Sequence, residues 1–96
     1  FMFFSYTPVR PTAALKVNGY DGPITLQEPA NYTLTWNSTN ANSCIASGAW
    51  SGIKSPNNSI DVKDMPSGTY TYTIYCYNTA GSASDSVTIN VNPISK

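Results

Sequence analysis

Few residues in this chain are equipped for chemistry. It has no histidine, and only five bases and five acids among 96 residues, for a net charge of zero. General acid–base catalysis draws first on histidine, then on carboxylates in apolar or paired settings. No nucleophile elbow of the Gly-x-Ser-x-Gly type is present, and no cluster of ligands at zinc spacing. Asp21, Asp61 and Asp64 fit no calcium loop and read as solvated turn acids. The sequence predicts a domain that is not an enzyme and takes no cofactor and no metal.

Cys44 and Cys76 are the two side chains with redox chemistry. Sparse charge and a chain that is about a third Ser, Thr and Asn fit an oxidising, extracellular compartment. A bridge between these two positions, 32 residues apart, would stabilise the fold by roughly 3–4 kcal/mol on the chain-entropy model. Two buried reduced thiols are the alternative.

Three further groups invite contact with other molecules. Trp50 stands in a Gly/Ser-rich stretch with no periodic partner, so it is either a contact residue for a sugar or protein ligand or a lid folded back on the interior. Tyr75 and Tyr77 face opposite to Cys76 on a tyrosine-rich segment, which suits either a ligand or cross-strand packing on an exposed face. Asn31, Asn37 and Asn57 each begin an Asn-x-Ser/Thr pattern and are candidate glycosylation sites. Nucleic acid is not an expected partner, because no basic stripe is available to displace counterions. No stretch is long and apolar enough to span a bilayer as a helix.

The elements that carry these residues read as strands. Thr, Tyr, Val and Ile are plentiful and strong helix formers are scarce. Residues 13–17, 24–26, 32–36, 43–47, 59–63, 69–77 and 84–92 are short segments that alternate apolar and polar side chains, separated by turn signals such as Asn18-Gly19 and Pro66-Ser67-Gly68. Alternation places Tyr32, Leu34 and Trp36 inward, then Ile60 and Val62, then Tyr70, Tyr72, Ile74 and Cys76, and finally Val87, Ile89 and Val91. Residues 50–58 read as loop. The expected fold is all-β: a two-sheet antiparallel sandwich of about seven strands over residues 12–94, preceded by an extended apolar arm at residues 1–11. Phe1, Met2, Phe3, Phe4 and Tyr6 make that arm a candidate for contact with a neighbouring subunit, since an exposed run of this kind is an aggregation hazard.

The segment Thr35-Trp36-Asn37-Ser38-Thr39-Asn40-Ala41-Asn42-Ser43-Cys44, the run Ala46-Ser47-Gly48-Ala49-Trp50-Ser51-Gly52, and the later Tyr72-Thr73-Ile74-Tyr75-Cys76 with Gly81-Ser82-Ala83-Ser84-Asp85 carry a resemblance. Together they resemble the bacterial immunoglobulin-like modules found in strings on large surface proteins. The resemblance implies an immunoglobulin-like sandwich with residues 72–76 on strand F. It implies that Tyr72 acts as a tyrosine corner. Trp36 then falls on strand B and Cys44 on strand C, so a Cys44–Cys76 bridge would join neighbours within one sheet and leave the inter-sheet core to Trp36. The implied role is an extracellular or cell-surface structural module: a subunit of a surface filament or pilus, or a repeat of a large surface protein. Its partners would be further copies or tandem neighbours, and a carbohydrate- or protein-binding module is the alternative.

Overall fold

A computed structural model describes residues 9–94. Eight strands follow in order: β1 (Ala14–Val17), β2 (Ile24–Gln27), β3 (Ala30–Asn37), β4 (Ser43–Gly48), β5 (Gly52–Lys54), β6 (Asn58–Met65), β7 (Gly68–Asn78) and β8 (Gly81–Asn92). No helix occurs among the described residues. The strands build a three-stranded sheet in the order β1-β3-β6 and a five-stranded sheet in the order β2-β8-β7-β4-β5. All pairs are antiparallel except β2 with β8, where Ile24 lies beside Ile89 in parallel.

The longest hairpin, β7–β8, is in unbroken register from Gly68 opposite Val91 to Asn78 opposite Gly81. Its even positions on β7 and odd positions on β8 point inward, because successive side chains on a strand face opposite ways. Tyr72, Ile74, Cys76, Val87, Ile89 and Val91 meet Leu15, Val17, Tyr32, Leu34 and Trp36 from the smaller sheet in one buried cluster. Burying a side chain such as Leu34 or Ile74 contributes about 1.5–3 kcal/mol. Asp85 shares this inward phase, opposite Ile74. Its Oδ2 accepts the Leu15 backbone N–H at 2.8 Å, which ties the first strand to the last.

Two expectations need correction. Ile60 was expected inside with Val62, yet it is half-exposed. It does lie opposite Leu34 and shares that residue's face, but β6 is the edge of its sheet, where the partner sheet gives little cover. Residues 50–58 were expected to be loop throughout. Instead Gly52–Lys54 pairs with Cys44–Ala46 and extends the larger sheet by one strand. Three residues with a glycine at the head are too short to register as alternation.

Cys44 and Cys76 stand directly opposite on β4 and β7 and are disulfide-bonded. Their Cα atoms are 4.0 Å apart, the close spacing of a non-hydrogen-bonded antiparallel pair. The bridge therefore lies within one sheet, as the resemblance to immunoglobulin-like modules implies. Replacing both cysteines by alanine should lower unfolding free energy by roughly 2–5 kcal/mol with the same strand content. Urea denaturation followed by tryptophan fluorescence would measure this, and an unchanged midpoint would remove the bridge from the account of stability.

Candidate functional site

Trp50 is turned inward. The chain leaves β4 at Gly48 with φ of 82°, in the left-handed region. A Cβ at Gly48 would stand 2.3 Å from the Thr71 carbonyl oxygen, so only glycine lets the backbone pass this close to β7. The next N–H, that of Ala49, donates to the same Thr71 oxygen at 2.8 Å. The indole Nε1 of Trp50 then donates to the Thr73 carbonyl at 2.8 Å. Its ring meets Trp36 edge-on with centroids 5.0 Å apart, and Tyr72 edge-on at 5.7 Å. The Lys54 ammonium lies 5.1 Å from the centroid over the ring. The indole is thus committed to closing one end of the core. Trp36 is anchored in the same way, its Nε1 donating to the Ser55 carbonyl.

The tyrosines divide by position. Tyr72 and Tyr32 pair their hydroxyls at 2.7 Å across the buried space between the sheets. Burial first, then the Tyr72 hydrogen bond, pushes the Tyr32 hydroxyl well above the ordinary tyrosine range. The bond back to upstream backbone that marks a tyrosine corner belongs instead to Tyr70, whose hydroxyl donates to the Pro66 carbonyl at 2.7 Å. Tyr72 was the expected corner. Both residues share one face of β7, and what separates them is the turn at residues 66–68, which brings the Pro66 oxygen to Tyr70.

The odd positions of β7 form the outer face of the larger sheet. Tyr75 lies opposite Ile45 of β4, and Ile45 opposite Ile53 of β5, so the three make a row straight across the strands. Ile53 is 81% exposed, Tyr75 44%, Ile45 40% and Tyr77 37%. The Tyr75 and Tyr77 rings are 5.9 Å apart and tilted by 33°. Ile45, Tyr75, Tyr77 and the β7–β8 turn border a shallow groove of about 520 Å³. No charged side chain stands in the outward phase of β4, β5, β7 or β8; the neighbours of the row are Ser, Thr and Asn. This neutral, partly apolar face is the candidate site. The tyrosines were legible as alternation, whereas Ile45 and Ile53 were missed, because one isolated isoleucine per short strand carries no periodic signal.

The same turn fixes the path by which the chain arrives. Asn78 Nδ2 donates to the Val9 and Asn40 carbonyls, and its Oδ1 accepts from the Ala80 and Gly81 N–H groups. Thr12 and Thr39 add backbone and hydroxyl bonds. At the opposite end of β7, Glu28 accepts from the Ser67 and Ile94 N–H groups and holds the departing chain. Neither Asn78 nor Glu28 stood out in the sequence. An Asn immediately before Thr-Ala-Gly is an Asx-turn signal that could have found the first.

No protein family and no curated protein matches the sequence. Eight chains of solved structures are similar in fold. The PKD domain of human KIAA0319, known from solution, superposes with a TM-score of 0.58 at 11% identity, covering 100% of this chain and 95% of that one. Fibronectin(III)-like modules of Clostridium thermocellum CbhA give 0.50 at 14% identity, covering 84% of this chain and 99% of that one. The fold is an immunoglobulin-like β-sandwich. At such identities the likeness is one of fold, and the site must be argued from its own residues.

The remaining candidates fall as follows. Asn31 and Asn37 are exposed on β3, with Asn31 Oδ1 accepting the Asp64 N–H. Asn57 spends its amide on both backbone groups of Ser38. Lys16 pairs with Asp21, and Asp61 accepts from the Thr33 hydroxyl. Phe1, Met2, Phe3, Phe4 and Tyr6 lie outside the described residues.

Gly48→Ala should destabilise this immunoglobulin-like domain by at least about 2 kcal/mol and weaken the near-ultraviolet circular dichroism of the Trp36–Trp50 pair. An unaffected spectrum would contradict the close approach to Thr71. The Tyr32 shift has a defined sign. Unfolded Tyr32 ionises near pH 10 while the folded hydroxyl stays protonated, so stability contributed by Tyr32 is intact below about pH 10 and declines as pH rises beyond it. Tyr32→Phe should flatten the loss of stability between about pH 9 and pH 11. Equal slopes for the two proteins would speak against the buried hydroxyl pair.

Proposed function

We propose that this domain is a non-catalytic structural module of an extracellular or cell-surface assembly, linked in series through its two poles. The observation that carries this reading is the placement of the arriving and departing chain. Val9 is held at the β7–β8 turn, and Ile94 at the start of β7. The 11 residues of β7 separate the two, a span of about 35 Å. A domain entered at one end and left at the other extends a chain instead of folding it back. The Cys44–Cys76 disulfide and the near absence of charge on the larger sheet support an oxidising compartment outside the cell.

Two assemblies use this geometry. In one, the domain is a repeat of a long surface protein. In the other, it is a subunit of a surface filament or pilus, and the arm with Phe1, Met2, Phe3, Phe4 and Tyr6 contacts the next subunit. Such a head-to-tail contact does not close on itself and so propagates. A binding role is favoured by one observation, the exposure of Tyr75 and Tyr77 beside Ile45. A glycan or protein ligand would use that face, because the Trp50 indole is engaged elsewhere.

Two copies joined end to end should scatter X-rays as a rod close to twice the length of one. A dimer of the same chains with a compact, globular profile would count against linkage in series.

A further inference from the structure

We infer that the row Ile53–Ile45–Tyr75, with Tyr77, is the docking surface for the apolar segment Phe1–Tyr6 of the same chain. Four observations converge on it. The row with Tyr77 gathers in one place four of the eight exposed large hydrophobic side chains among the described residues, and Ile53 is 81% exposed. No charged side chain shares the outward phase of the strands that carry the row, so covering the row itself desolvates no ion, and Arg10 lies beside Gly81 at one rim of the groove. Five of the six residues from Phe1 to Tyr6 are aromatic or apolar: Phe1, Met2, Phe3, Phe4 and Tyr6. Finally, that segment starts at the groove's own rim, for Asn78 holds the Val9 carbonyl and also borders the groove with Tyr77.

The distances agree. Tyr75 is three strand positions from Asn78, about 10 Å, and Ile53 is two strands further across, another 10 Å or so. Eight residues extend up to roughly 26 Å, enough to cross the row with chain to spare. Tethering at Val9 gives the segment a local concentration in the millimolar range at its own domain, against which a second copy must compete. Aromatic rings on aromatic and aliphatic side chains gain both buried area and edge-to-face contacts. The β5 edge beside Ile53 also offers unpaired backbone groups to an extended segment lying there.

In a series of modules this contact would stiffen the joint at the pole where the chain arrives; it occupies the arm that a filament contact would need, so it goes with the repeat of a long protein, yet it concerns the single chain and does not require the series. The experiment uses the full chain, with Phe1→Ser, Phe3→Ser and Phe4→Ser combined as the variant. Methyl NMR of Ile45 and Ile53 should show contacts to phenylalanine rings that persist unchanged on tenfold dilution and vanish in the triple variant. Binding of the dye ANS should rise several-fold in the variant, while the near-ultraviolet signal of Trp36 and Trp50 stays the same and certifies the fold. Identical isoleucine methyl shifts in the two proteins would overturn the inference. Contacts that fade on dilution would also overturn it and assign the face to a second copy. A soluble β-glucan oligosaccharide that perturbs Ile45 equally in both proteins would overturn it too, by showing the face free for glycan. None of these results alters the scattering of a tandem, so the two proposals fail separately.

Discussion

The alternation of side chains along β7 is the constraint from which the rest follows. Tyr70, Tyr72, Ile74 and Cys76 face the smaller sheet, and Thr71, Thr73, Tyr75 and Tyr77 face away. One inward phase supplies the disulfide, the hydroxyl pair with Tyr32 and the apolar centre of the core. The other phase supplies the exposed tyrosines. A slip of one residue in the β4–β7 register would exchange these sets and place the cysteines on the outside. The covalent tie between Cys44 and Cys76 forbids that slip, so it fixes which residues are surface as much as it adds stability.

The backbone of β7 has a second use. Its carbonyls at Thr71 and Thr73 receive the chain that leaves β4, and so direct Trp50 onto Trp36 and Tyr72. An aromatic residue in a Gly/Ser stretch looks available to a ligand until the strand beside it is known. Here two backbone carbonyls, and a glycine that can approach them, turn a loop tryptophan into part of the interior. The outer face is left to residues of ordinary appearance, among them two isoleucines on neighbouring short strands.

Much of this was legible before any coordinates. The all-β class and the inward sets on β3, β7 and β8 follow from period-two patterning, and the bridge between neighbouring strands from the resemblance to immunoglobulin-like modules. What was not legible depends on geometry that a one-dimensional pattern does not carry. β5 is too short to alternate. Ile60 obeys the pattern yet sits at an edge, where facing inward does not mean burial. Tyr70 and Tyr72 are equivalent by phase and differ only in which oxygen the turn at residues 66–68 presents. Asn78 organises the arriving chain through four hydrogen bonds, but an asparagine in a chain rich in asparagine draws no notice.

The opposite placement of Val9 and Ile94 determines how this molecule answers to tension. A pull applied through the flanking chain runs along the strands, so the bonds joining β1 to β3 and β2 to β8 are loaded together in shear and not unzipped one by one. If the sandwich does yield, the 32-residue separation between Cys44 and Cys76 stays closed by the sulfur link. About 110 Å of potential extension is thereby withheld until that link is reduced. The redox state of a single bond thus sets how far the domain can lengthen under force.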